Sequence, residues 1–173
     1  EDYLAINTIL MQFIILASFL LDAYAFSTEA VVGYTIGKRI KSYFLTVVLN
    51  SFKLSIFSSL VISVIYLLTF QLIIDELTNL DYLKFLAFNY IFWIIIIPPV
   101  ASICYQFDGI FIGASQTAEM RNGMVISVAL FILSSELLVS NFGNHGLWLS
   151  LLFFMIIRSV TLNYYFNRIL KKF

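Results

Sequence analysis

Charged residues are scarce in this chain, and their scarcity excludes most soluble folds. Only 12% of the 173 residues are Asp, Glu, Lys or Arg, while 61% are hydrophobic; a typical soluble domain has about 25% charged residues. Basic and acidic residues are equal in number, so the formal net charge is zero. We therefore expect a polytopic membrane protein with no basic surface for nucleic acid.

Cysteine, histidine and proline are nearly absent. The single cysteine, Cys104, lies in an apolar run, which excludes a disulfide framework and a cysteine-rich metal site. The single histidine, His145, cannot form a metal site alone because such a site needs several ligands, so we expect it in a turn or cap. Both prolines, Pro98 and Pro99, fall in one apolar block, where they predict a kink.

Five apolar blocks separated by short polar breaks predict an all-α bundle of five transmembrane helices. A helix needs about 20 residues to cross the hydrocarbon core. The first three blocks are longer, so we expect them to tilt, kink or extend past the headgroups. The predicted spans are residues 3–36, 43–74, 82–114, 121–139 and 147–166.

The charges in the breaks predict the orientation of the chain. Basic residues cluster after the first and last blocks: Lys38, Arg39, Lys41, Arg168, Lys171 and Lys172. The positive-inside bias places these breaks in the cytoplasm, so we expect a plasma (inner) membrane protein with an external N-terminus and a cytoplasmic C-terminus. An acidic N-terminus outside, without a signal peptide, predicts an earlier span and hence a longer protein.

Six ionisable residues interrupt the apolar blocks: Asp22, Glu29, Lys53, Asp108, Glu136 and Arg158. A charge at the centre of a membrane helix costs about 3 kcal/mol on insertion scales, so such residues usually face the bundle interior and mark a transport pathway. Carboxyl groups in a low dielectric exchange protons near neutral pH. Asp108, Glu29 and Asp22 are therefore candidates for ion coupling.

The bases and the outermost acid have alternative interpretations. Glu29 and Lys53 are at similar depth on consecutive helices, which allows an ion pair, but a lysine at this depth also snorkels to the inner headgroups. Arg158 is expected to be an ion-pair partner that neutralises an acid. Glu136 is close to the outer end of its block and within reach of water. A purely structural ion pair remains open for Asp108 as well.

Aromatic residues make up 17% of the chain. Tyr24, Tyr34 and Tyr105 lie deep or on the acidic helices and are candidates to line a cavity for cationic ligands; contact with lipid or another helix is the alternative. The pattern Gly109-x-x-x-Gly113 permits close helix approach.

Three segments carry a family resemblance: residues 22–39 (DAYAFSTEAVVGYTIGKR), 108–122 (DGIFIGASQTAEMRN) and 143–149 (GNHGLWL). Together they resemble the DinF-type branch of the MATE (multidrug and toxic compound extrusion) transporters. Members have twelve spans in two lobes, and this chain is similar to spans eight to twelve. The resemblance implies that an N-terminal lobe is the missing partner.

The resemblance also implies secondary active efflux by alternating access. A cationic or amphipathic compound would leave the cell in exchange for H⁺ or Na⁺, with membrane lipid around the protein and no cofactor beyond the coupling ion. Asp108 resembles an acid of the tenth span that contributes to a cation site in some members; in others the main acid lies in the first lobe. Glu29 and Arg158 match the pattern of the branch.

Two other functions are weighed against efflux. A flippase for lipid-linked intermediates, from the same broad superfamily, needs a strongly cationic cavity, and Lys53 and Arg158 are the only deep bases. Asp108-Gly109 is similar to the start of the alcohol phosphatidyltransferase motif, but the further acids of that motif are missing. No phosphate loop or catalytic triad is present, so we expect no enzyme and no catalytic residue.

Overall fold

The computed structural model describes residues 2–173, which form six α-helices. The helices are α1 (Asp2–Gly37), α2 (Lys41–Leu77), α3 (Asp81–Phe88), α4 (Ile91–Gly113), α5 (Thr117–Phe142) and α6 (Asn144–Leu170). All except α3 are long and apolar enough to cross a membrane. The prediction of an all-α bundle with five spans is confirmed for the described residues.

The third predicted span, residues 82–114, differs from its prediction because it forms two helices. Helix α3 ends just before Asn89 and has only 8 residues, and helix α4 begins just after Tyr90 and has 23 residues. Pro98 and Pro99 lie inside α4, which continues through them. The short helix α3 accounts for the excess length of this block.

A serine of α2 donates a hydrogen bond to a backbone carbonyl group of α4 that a proline deprives of its helical donor. Pro99 has no N–H, so the carbonyl of Ile95, four residues earlier, loses its helical donor. Ser63 donates from Oγ to this carbonyl oxygen at 2.7 Å; the carbonyl of Ser59, in its own helix, is farther away at 3.0 Å. Because freed backbone at membrane depth must find a protein or water partner, Ser63 stabilises the proline-containing turn.

Helix α4 is the centre of the bundle, and it packs against α1, α2 and α6. Its contact with α1 is closest at Gly109 and Gly113. A Cβ atom at either position would collide with the backbone carbonyl of Ala25 or Glu29, respectively. The Gly-x-x-x-Gly pattern therefore brings the helices that carry Asp22, Glu29 and Asp108 into backbone contact.

Candidate functional site

Asp108 and Arg158 form an ion pair inside the bundle. The Nη2 atom of Arg158 donates to both carboxylate oxygens of Asp108, each at 2.8 Å. The side chain of Asp108 is only 16% exposed, and that of Arg158 only 11%. The pair joins α4 to the middle of α6, and it offsets most of the cost of an isolated carboxylate at this depth.

The guanidinium of Arg158 is only partly satisfied. Its Nη1 atom contacts the sulfur of Met124 at 2.9 Å, and sulfur is a weak acceptor. Its Nε atom is buried and has no hydrogen-bond acceptor among the described residues. Asp108 therefore occupies Nη2, while Nη1 has only a weak acceptor and Nε has none among the described residues.

Asp22 lies on α1, which packs against α4. It is half-buried, and it is within electrostatic range of both Asp108 and Tyr105. None of the ion pairs among residues 2–173 includes Asp22. The three charged groups thus have one negative charge in excess.

The structure does not bring Glu29 and Lys53 into this group. Glu29 is half-buried and Lys53 is exposed, and no ion pair between them is present within the described part of the chain. Glu136 is exposed near the end of α5. What contacts α4 at this position is the backbone of Glu29, which packs against Gly113.

The three candidate tyrosines lie in separate places. The hydroxyl of Tyr24 accepts a hydrogen bond from Ser58 Oγ at 2.7 Å, which joins α1 to α2. Tyr105 lines a cavity of about 10 Å³ beside Ser18 and Pro98, too small for a ligand, and Tyr34 is 57% exposed. Tyr24 also lines a cavity of about 410 Å³ between α1 and α2, and neither Tyr34 nor Tyr105 lines that cavity.

Two polar networks were missed in the sequence. At the end predicted to face outside, Trp93 Nε1 donates to His145 Nδ1 at 3.1 Å, and Asn7 bonds reciprocally with Asn144 at 2.6 and 3.0 Å. Trp148 Nε1 also donates to Asn7 Oδ1 at 3.0 Å. His145 lies in the first turn of α6, whose N-terminus has no side-chain cap; its imidazole instead accepts from Trp93, 52 residues away.

The second network closes the opposite end of the bundle. Arg168 donates to Glu119 at 3.0 Å, and its guanidinium stacks on the ring of Tyr165, 4.9 Å from the centroid. Glu119 is buried, and Lys172 donates to the carbonyl of Ala114. In the sequence, this network was indicated only by the acid Glu119 near the start of one helix and the base Arg168 near the end of another.

A comparison with known proteins gives a clear relative. The chain is 38% identical over 162 residues, 94% of its length, to DNA damage-inducible protein F of Escherichia coli strain K12. It covers only 35% of that protein, so it spans about a third of the relative's length. No family model and no solved structure matches. The match confirms the resemblance that the three motifs predicted.

Proposed function

We propose that this chain, which is 38% identical to DNA damage-inducible protein F over 162 residues, belongs to the DinF-type branch of the MATE transporters and forms the C-terminal part of a secondary active efflux transporter. The complete transporter exports organic cations, drugs or toxic metabolites in exchange for H⁺ or Na⁺. It lies in the plasma (inner) membrane with the C-terminus of this chain in the cytoplasm. The partner is an N-terminal lobe that completes the transport cavity.

The excess negative charge of Asp22, Asp108 and Arg158 is the observation that supports this proposal. Asp108 is already neutralised by Arg158 at 2.8 Å, whereas Asp22 has no ion-pair partner among the described residues. An uncompensated carboxylate in a low dielectric favours binding of a proton or a metal cation. One H⁺ or one Na⁺ bound at Asp22 neutralises the group.

Ion binding at this position is able to act on helix packing. Asp22, Asp108 and Arg158 lie on α1, α4 and α6, so the charge of the group affects the contacts among three spans. A ligand shifts a conformational equilibrium when it binds the two states with different affinity. The tight α1–α4 contact at Gly109 and Gly113 makes these two helices move together, as alternating access of a rigid lobe requires.

The flippase alternative has less support. Lys53 is exposed, and Arg158 is paired with an acid. Among the described residues this leaves no concentrated positive charge deep in the bundle for a pyrophosphate. Transport of an organic cation is the better fit to a group with an excess of acid.

A chimera tests the proposal directly. In the Escherichia coli relative, this chain replaces the 162 matched residues, and the product is reconstituted in liposomes with an imposed H⁺ or Na⁺ gradient. We expect gradient-dependent transport of ethidium. A folded chimera that moves no organic cation under either gradient, while the unmodified relative does, would contradict the proposal.

A further inference from the structure

Basic residues from two distant segments of the chain come together at one end of the bundle. The segments are the turn between α1 and α2 and the C-terminal end of α6. Their exposed bases form what we call the basic face: Lys38, Arg39, Lys41 and Lys171. The turns at this end are residues 37–43, 114–123 and 167–173. Glu119 is their only acid, and it is already paired with Arg168 at 3.0 Å.

Aromatic packing brings the two segments of the basic face together. The side chain of Phe44, in the first turn of α2, is fully buried. Its ring centroid lies 5.0 Å from that of Phe173 and 6.0 Å from that of Phe166. Phe173 follows Lys171 by two residues, and Phe44 follows Lys41 by three. The end of α6 is therefore held beside the α1–α2 turn.

The α1–α2 turn itself is fixed by backbone hydrogen bonds. The N–H of Lys38 donates to the carbonyl of Tyr34 at 3.1 Å, and the N–H of Ile40 donates to the carbonyl of Thr35 at 3.0 Å. The N–H of Phe44 then donates to the carbonyl of Ile40 at 3.0 Å. Because these bonds order the turn before any ligand arrives, binding here costs less conformational entropy than binding to a flexible basic tail.

The bases of this face have no counter-charge within the chain. None of the four is in an ion pair among residues 2–173. Lys172 is not counted with them because its ammonium group donates to the carbonyl of Ala114. Like charges at close range repel one another, and an anion bound among them relieves this repulsion. The basic face therefore favours an anionic ligand.

Exposed tyrosines place the basic face at the level of lipid headgroups. Tyr34 precedes Lys38 by four residues and is 57% exposed, and Tyr43 follows Lys41 by two residues and is 46% exposed. Tyrosine is enriched where a span meets the headgroups. A cluster of bases immediately beyond a span attracts anionic phospholipids, by about fivefold in affinity for each base. These two features together favour a lipid over a soluble anion.

We propose that the basic face binds the headgroup of an anionic phospholipid between the α1–α2 turn and the end of α6. Such a lipid joins the first two spans of the chain to its last span by charge, next to the contact that the phenylalanine rings already make. The inference requires that the chain lies in a membrane. It does not require that the chain transports anything.

Native mass spectrometry of the purified chain in a neutral detergent tests the proposal. The chain is mixed with equal amounts of phosphatidylglycerol, which is anionic, and phosphatidylcholine, which has no net charge, and the bound lipids are measured. We expect phosphatidylglycerol to be retained preferentially. Equal retention of the two lipids would overturn the proposal. Displacement of phosphatidylglycerol by inorganic phosphate would overturn it in favour of a site for a soluble anion.

A matched pair of charge variants locates the lipid. Lys171→Gln should weaken phosphatidylglycerol binding about fivefold, the contribution of one base near the headgroups. Arg121→Gln removes the same charge from the same end of the bundle, but from α5, which packs mainly on α6. We expect Arg121→Gln to have little effect. Equal losses in the two variants would show that the lipid responds to charge anywhere at this end, and would overturn the site.

A variant that keeps every charge tests whether the two segments share one lipid. Phe173→Ala removes the ring that packs on Phe44, so Lys171 is no longer held beside the α1–α2 turn. We expect phosphatidylglycerol to bind several-fold more weakly, with phosphatidylcholine binding unchanged as the control for the fold. Unchanged phosphatidylglycerol binding in Phe173→Ala would contradict a shared site.

Discussion

The buried charges are the decisive residues of this chain. Asp108 and Arg158 neutralise each other at 2.8 Å, whereas Asp22 on α1 has no ion-pair partner among residues 2–173. The two acids are thus not equivalent. Replacing Asp108 changes both the fold and the site, whereas replacing Asp22 changes the site alone.

Asp108→Asn should destabilise the protein because it leaves a buried guanidinium without its counter-charge. Breaking a buried pair from one side costs about 3–5 kcal/mol, so the thermal unfolding midpoint in detergent should fall. The double variant Asp108→Asn with Arg158→Met removes both charges and should recover most of this stability. If the double variant is as unstable as the single one, the pair is not the cause.

Asp22→Asn should abolish coupling but leave stability close to that of the parent protein. The amide keeps the size of the side chain, and no ion pair among the described residues is lost. The measurement is gradient-driven ethidium transport by the chimera in liposomes, with Glu136→Gln as the control for an exposed acid. Normal transport by Asp22→Asn would remove Asp22 from the coupling site.

At the scale of elements, small residues decide how closely the spans approach. Gly109 and Gly113 allow α4 to contact the backbone of α1, and Ser63 of α2 reaches the carbonyl of Ile95 that Pro99 leaves free. Both contacts hold α4 in the centre of the bundle. Each of them can be tested by a change of one or two atoms.

Gly109→Ala should destabilise the bundle because its Cβ atom collides with the carbonyl of Ala25. Overpacking of this kind costs about 1–3 kcal/mol, and backbone has little freedom to move aside. The control is Gly37→Ala, where no atom lies within 4 Å of the added Cβ. Thermal unfolding of the two variants in detergent should differ; equal midpoints would contradict the close contact.

Ser63→Ala should cost about 1–3 kcal/mol because the carbonyl of Ile95 loses its donor. The cost should shrink when Pro99→Ala is added, since alanine restores the helical N–H to that carbonyl. A double-mutant cycle on thermal stability measures this coupling. Ser135→Ala is the control, because its hydroxyl bonds only within its own helix. Additive effects of Ser63 and Pro99 would contradict the assignment.

The sequence predicted the spans well because long apolar runs identify them directly. It did not predict the break at Asn89 and Tyr90, which lacks the glycine or proline that usually ends a helix. Asp108 and Arg158 were identified as candidates because charges in apolar runs are rare. Their pairing depends on the rotation of two helices 50 residues apart, and composition carries no information about that rotation.

At the scale of the molecule, the charge pattern predicts which polar breaks face the cytoplasm and which face the outside. The break near Ser42 is predicted to be cytoplasmic, and the break near Asn79 external. On a Cys104→Ser background, Asn79→Cys in whole cells should react with an impermeant maleimide. Ser42→Cys should react only after the membrane is permeabilised. The reverse pattern would invert the orientation and move the C-terminus outside.

Both tryptophans of the chain donate hydrogen bonds at the same end of the bundle, Trp93 to His145 and Trp148 to Asn7. The tryptophan emission of the chain therefore comes entirely from one end of the bundle. The chain thus carries its own spectroscopic label at the end farthest from the basic loops.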